Sequence, residues 1–124
     1  MIKVAPPLTW YQTLLRVEME IKFAYRHDVA GCAAIFNETI SITKNKFLVK
    51  AHCAETQDNT LLYHLEFPFW APVNPDTLKV ERRPVGKIHF SVAKENAPAR
   101  WRTLYKEGTK RPEALRLDIN AHQG

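Results

Sequence analysis

The feature that most constrains this chain is an alternation of apolar and polar residues with a period of two. In the segment 15–23, Leu15, Val17, Met19, Ile21 and Phe23 alternate with charged residues. Successive side chains of a β-strand point to opposite faces of a sheet, so this segment predicts a strand with one buried and one solvated face. No long segment has the period of 3.6 residues that an amphipathic helix requires.

The same alternation recurs in later segments, separated by polar turns, at residues 39–43, 47–53, 61–67, 77–82 and 86–94. Residues 68–76 contain three prolines and predict an irregular connection or a sheet edge, because proline cannot donate a hydrogen bond to a neighbouring strand. These patterns predict an all-β fold, an antiparallel β-sandwich. The residues expected to face its core are Val17, Met19, Ile21, Ile40, Ile42, Val49, Leu65, Phe67, Ile88, Phe90 and Val92.

The length of 124 residues fits one domain with its own core. We assign residues 1–110 to the domain and expect residues 111–124 to form a weakly structured tail. No apolar run reaches the length of a membrane span, and no signal peptide is visible, so we expect a cytoplasmic protein without membrane insertion.

Charge and cysteine content narrow the function classes. The net charge of +5 is spread along the sequence, so we expect an acidic protein partner rather than nucleic acid. The two cysteines, Cys32 and Cys53, do not form a CxxC motif or a disulfide framework. Without a secretory signal, both are expected to be free thiols.

Few residues of this sequence are arranged to catalyse a reaction or to bind a metal or cofactor. By alternation His52, His64 and His89 fall on the polar faces of three strands, with Glu66 beside His64, but the close-spaced ligand pairs of metal sites are missing. There is no nucleophile motif and no glycine-rich phosphate loop. We therefore expect a binding domain without a catalytic residue, metal or cofactor.

The candidate partner site lies after the last long strand. A loop containing Pro98 leads from Lys94 to Trp101, and Leu104 and Lys106 follow. A tryptophan at a strand end either plugs the core or anchors a partner, and its amphipathic ring allows both roles. Both remain open at this stage. The predicted partner-binding residues are Trp10, Lys94, Trp101, Leu104 and Lys106.

These residues also carry a resemblance that spans about Leu8 to Lys110. Trp10, Gln12 and Thr13 lead into the first long strand, and Lys94 precedes Trp101, Leu104 and Lys106, in an order and spacing that resemble the CS domain. Arg102 stands where that family usually has proline. The resemblance implies a sandwich of seven or eight strands like that of small heat-shock proteins.

The resemblance also implies function. Many CS domains are adaptors or co-chaperones that dock on the ATP-dependent chaperone heat-shock protein 90. The segments ISITKN, VKAH and YHLEF resemble instead the CS domain of membrane-bound very-long-chain 3-hydroxyacyl-CoA dehydratases, which implies an accessory domain at the cytosolic face of the endoplasmic reticulum. A third hypothesis is the isomerase activity credited to the cytosolic prostaglandin E synthase family. In that family the activity is assigned to a tyrosine, and Tyr11 matches its position.

Overall fold

A computed structural model describes residues 2–24, 26–54, 60–113 and 115–117, and these contain β-strands and no helix. The nine strands are β1 (Ile2–Val4), β2 (Leu8–Gln12), β3 (Arg16–Lys22), β4 (Ile35–Ile42), β5 (Lys46–Ala54), β6 (Thr60–Pro68), β7 (Val73–Arg83), β8 (Lys87–Lys94) and β9 (Leu115–Leu117). Within the described residues, none belongs to a helix that could span a membrane.

The strands form two sheets that pack as a sandwich. One sheet has four strands in the order β1-β6-β5-β4, and the other has five in the order β7-β8-β3-β2-β9. The long strands pair antiparallel, while the short β1 and β9 pair parallel with β6 and β2. The predicted all-β sandwich is confirmed. The two additional parallel strands are only three residues long and carry little periodicity of their own.

The core lies between the inner faces of the two sheets, as the alternation predicts. In β3 and β5 every second residue is buried, and the intervening side chains are half-buried or exposed. Nine of the eleven residues expected to face inward are fully buried, and the other two, Ile40 and Ile42, are partly buried against the same core. Both belong to β4, which is an edge strand among the described residues, so their side chains have a neighbouring strand on one side only.

Two segments differ from what the sequence predicts. The strand expected from Leu15 begins one residue later, at Arg16, and the side chain of Leu15 is 59% exposed in the turn before it. In the segment expected to be a weak tail, residues 115–117 form β9 and buried Leu115 lies opposite Leu8. Ile119, another apolar residue of that segment, lies outside the described residues.

The prediction of two free thiols is wrong, because Cys32 and Cys53 form a disulfide. Sequence spacing could not reveal this pairing. Cys32 lies in the segment that crosses from β3 to β4, and Cys53 lies near the end of β5, opposite Ile35. The crossover brings their Cα atoms to 6.2 Å, which is within the range that a disulfide spans.

The crossover also passes very close to the turn between β7 and β8. The amide of Cys32 donates to the carbonyl of Phe23, and the amide of Phe23 donates to the carbonyl of Gly86. A Cβ atom on Gly86 would lie 2.6 Å from the backbone of Cys32, and the residue has a φ of +65°. Only glycine meets both conditions, so this contact fixes where the chain changes sheets.

We expect the disulfide to contribute substantially to stability. It closes a loop across a sequence separation of 21 residues, for which restriction of the unfolded chain stabilises the fold by about 3 kcal/mol. Urea unfolding with and without a thiol reductant measures the difference. The double variant Cys32→Ser/Cys53→Ser serves as control, since its unfolding should not respond to the reductant. Labelling of both cysteines by a thiol reagent in the native, unreduced protein would contradict the pairing.

Candidate partner-binding end of the sandwich

Lys94, the last residue of β8, has a buried side chain at one end of the sandwich. It is only 4% exposed. Its Nζ donates to Oε1 of Gln12 at 2.7 Å, to the carbonyl of Thr13 at 2.6 Å and to the carbonyl of Ala99 at 2.5 Å. A lysine ammonium has three N–H donors, so these three acceptors satisfy it fully. One buried charge therefore joins β8, the β2–β3 turn and the loop that follows β8.

Gln12, at the end of β2, connects this ammonium to the tryptophan. Its Oε1 also accepts from the backbone amide of Trp101 at 2.8 Å, and its Nε2 donates to the carbonyl of Trp101 at 2.7 Å. The side-chain amide thus replaces the neighbouring strand that the backbone of Trp101 lacks. A residue with both a donor and an acceptor is needed here, which a carboxylate or an apolar side chain cannot supply.

The indole of Trp101 closes the end of the core. It is 3% exposed and packs beside Phe69, with 6.0 Å between the ring centroids. Phe69 belongs to the aromatic cluster that fills this end, because it also contacts Phe67 and Phe47. Nζ of Lys94 lies 5.8 Å from the centroid of the indole, close enough for a cation–π interaction.

The loop from Trp101 to Lys106 joins the two sheets. The amide of Trp70 donates to the carbonyl of Leu104, the amide of Lys106 donates to the carbonyl of Pro68, and Phe69 forms a bridge with Tyr105. Leu104, at 0% exposure, is part of the hydrophobic core. The loop is thus attached to the five-stranded sheet through Gln12 and Lys94 and to the continuation of β6 in the other sheet.

Among the five predicted partner-binding residues, four are buried. Trp10, Lys94, Trp101 and Leu104 are between 0 and 6% exposed, and Lys106 alone is on the surface. The structure brings Lys94, Trp101 and Leu104 together with Gln12 at one end, while Trp10 lies within β2 opposite Met19. Of the two roles considered for Trp101, this geometry is that of a core plug, whose ring is covered in the free protein.

Sequence reasoning missed two exposed leucines at this end. Leu14 and Leu15 form the tip of the β2–β3 turn, and they are 52 and 59% exposed. The carbonyl of Leu14 accepts from the amide of Ala99, which precedes Arg100 in the loop after β8. The alternation concealed this pair, because Leu15 continues the apolar series of β3 by one position. The chain that follows β8 adds the exposed cations Arg100, Arg102 and Lys106 to this end.

The environment of Lys94 affects its titration. Burial lowers the pKa of the ammonium, and the nearby positive charge of Arg100 lowers that pKa further. The three oxygen acceptors counter this effect by stabilising the protonated form. Because a charged side chain is retained here despite its desolvation, its removal would leave polar groups at this end without their partner.

Tyr11, the tyrosine implied by the prostaglandin synthase resemblance, lies at the other side of β2 from the core. Its ring centroid is 6.5 Å from that of His89, and Nε2 of His89 is 3.4 Å from Oε1 of Glu18. Ser91 donates to Glu18, and Nε of Arg16 donates to Ser91. The polar face of β3 and β8 is thus a hydrogen-bonded network in which the serine contacts the carboxylate rather than the imidazole, unlike a serine nucleophile activated by histidine.

The three strand histidines considered for metal binding do not converge. Lys50 lies opposite His64 and Leu62 lies opposite His52 on the four-stranded sheet, whereas His89 lies on the other sheet. Across the described segments, no three histidine, cysteine, aspartate or glutamate residues are arranged to hold a metal ion.

Comparison with solved structures identifies proteins with a similar fold. Heat shock protein 16.0 from Schizosaccharomyces pombe superimposes with a TM-score of 0.57 at 8% sequence identity, covering 86% of this chain and 99% of that one. Stress-induced protein 1 from Caenorhabditis elegans gives a TM-score of 0.45 at 12% identity, covering 83% of this chain and 78% of that one. No protein-family model and no curated protein sequence matches the chain. The superposition on heat shock protein 16.0 shows that this chain has the β-sandwich fold of a small heat-shock protein.

We expect Lys94→Met to destabilise the protein by about 2 kcal/mol, because the carbonyls of Thr13 and Ala99 lose their common donor while the volume of the side chain is kept. Lys106→Met is the matched control. It changes the net charge equally at an exposed site and should alter stability by less than about 0.5 kcal/mol. The free energy of unfolding from urea titration measures both. Equal effects of the two substitutions would contradict the structural role of Lys94.

For Trp101→Ala we expect a loss of about 3–5 kcal/mol in the free energy of unfolding, since the substitution opens a cavity beside Phe69. Replacement by phenylalanine keeps part of the packing and should cost less. Thermal and urea unfolding give the values. A variant with unchanged stability would show that the indole is not part of the core.

Proposed function

We propose that this chain is a protein-interaction domain of the CS type that acts as a co-chaperone by docking on heat-shock protein 90. The observation that carries the proposal is the convergence of Gln12, Lys94 and Trp101 on one hydrogen-bonded network. These are residues on which the CS resemblance rests, and they are far apart in sequence. The fold shared with a small heat-shock protein supports the same proposal.

The docking surface in this proposal consists of the exposed residues at that end, Leu14, Leu15, Arg100, Arg102 and Lys106. The leucine pair supplies an apolar centre, and the cations supply a basic rim that suits an acidic partner surface. Buried Lys94 and Trp101 act indirectly, since they hold the β2–β3 turn against the loop after β8. A preformed surface loses little conformational entropy on binding.

The cytosolic location that this partner implies has a consequence for the disulfide. Thiols in the cytosol are kept reduced, so the domain must remain folded with Cys32 and Cys53 reduced. We expect the reduced form to keep the two sheets and the Lys94 network, because neither cysteine takes part in that network. The proposal therefore includes a reduced form that is less stable but binds in the same way.

Calorimetric titration tests the proposal. The full chain is titrated into purified heat-shock protein 90 that is kept in its nucleotide-bound state by a non-hydrolysable ATP analogue. The titration is done with the reduced and with the oxidised form of the chain. We expect Leu14→Asp/Leu15→Asp to weaken binding by roughly a hundredfold, as expected for loss of an apolar centre. Arg100→Glu/Arg102→Glu should weaken it mainly at low ionic strength, because added salt screens rim charges.

The matched control is Lys79→Glu. Lys79 is an exposed residue of β7, an edge strand of the five-stranded sheet that is not part of the proposed docking surface, so its replacement should leave the affinity for the chaperone unchanged. Circular dichroism establishes that each variant remains folded. The absence of binding at high micromolar concentration would overturn docking on this chaperone and favour the accessory domain of a membrane-bound dehydratase.

A further inference from the structure

The outer face of the four-stranded sheet carries a second concentration of positive charge. Strand register places Lys3 beside Leu62, and Leu62 beside His52, in one row across β1, β6 and β5. In the next row His64 lies opposite Lys50. The charged and titratable residues at the regular outward positions of these strands are Lys3, Lys46, Lys50, His52, His64 and Glu66.

The charges of this face are poorly compensated. Glu66 pairs with Lys46 at 2.5 Å, while neither Lys3 nor Lys50 forms an ion pair among the described residues. The five-stranded sheet differs, since Arg83 there contacts both Glu20 and Glu81. Glu38, in the bulge of β4, is bound to Arg82 of that other sheet. Among the described residues, Lys3 and Lys50 therefore have no carboxylate partner on the outer face.

Apolar side chains lie between these cations. Leu62 and Leu48 are half-buried on the same face, and Phe36 is 41% exposed at its edge, stacked on His52 with 5.3 Å between the ring centroids. A partner that neutralises the lysines would cover these side chains as well. The face thus offers both electrostatic and hydrophobic contributions to binding.

We propose that this face binds an acidic peptide segment that alternates carboxylates with apolar residues. Its carboxylates would pair with Lys3 and Lys50, and its apolar side chains would cover Leu48, Leu62 and Phe36. A peptide fits better than nucleic acid or an anionic membrane, because the outward cations are lysines separated by apolar residues, and the forked guanidinium that binds phosphate bidentately is missing from these regular outward positions. The proposal does not rest on docking to heat-shock protein 90, since it concerns a different surface.

His64 supplies a signature of such binding. Burial lowers the pKa of its imidazole, and the charge of Lys3 and, more weakly, Lys50 lowers that pKa too, whereas Glu66 acts in the opposite direction. Among the described residues, Lys110, Arg111 and Glu113 also face His64, and they line a cleft of about 260 Å³ next to His64 and Glu66. A bound carboxylate adds negative charge, so it raises the pKa of His64. Binding is then coupled to proton uptake, and affinity increases as the pH falls.

The probe for the experiment is a synthetic peptide of alternating glutamate and leucine, titrated into the full chain and followed by fluorescence anisotropy. We expect saturable binding that is weakened roughly tenfold by Lys50→Glu and by Lys3→Glu. Lys79→Glu makes the same change of net charge on the other sheet and should alter affinity by less than about twofold. Equal weakening by all three variants would overturn the proposal, because the peptide would then respond only to net charge.

Two further measurements complete the test. Lowering the pH from about 8 to about 6 should strengthen binding to the wild type and have a smaller effect on His64→Gln, because glutamate carboxylates remain ionised over this range. An unchanged pH dependence in the variant would overturn the role of His64. Oligothymidylate and phosphatidylserine vesicles are titrated in parallel, and tighter binding of either one that is lost in Lys50→Glu would overturn the choice of a peptide.

Discussion

The buried ammonium of Lys94 is the interaction on which one whole end of the molecule depends. A loop without a neighbouring strand can remain ordered only if its backbone groups find other partners. Lys94 and Gln12 supply those partners, so the chain after β8 turns back across the open end instead of leaving it. The position of Trp101 over the aromatic cluster follows from this attachment.

The same geometry separates the residues that support this end of the sandwich from the residues that are exposed to a partner. Lys94 and Trp101 are almost completely buried, so they determine the shape of the end, while the exposed leucines and arginines determine its surface chemistry. The outer face of the four-stranded sheet is a separate case, because there the strands themselves place Lys3 and Lys50 in solvent. The two surfaces proposed for acidic partners therefore consist of different residues and can be tested separately.

Sequence periodicity predicted the sandwich and its inward-facing residues well, because burial between two sheets imposes the period of two directly. It was less informative where tertiary contacts override the pattern. Leu15 continues the apolar series of β3 but lies in a turn, and the short β9 strand depends on pairing with β2 rather than on its own residues. The resemblance to the CS domain identified Gln12, Lys94 and Trp101 but not the contacts between them.

The amino-acid sequence by itself determined the fold class, most of the core and the residues that distinguish this end of the domain, because these depend on local alternation and on short motifs. Only the tertiary structure decided that Cys32 joins Cys53, that Lys94 is buried and that Leu14 and Leu15 are exposed. The physical reason is that each of these properties depends on distances between segments remote in sequence, which a crossover, a turn and a sheet register set together.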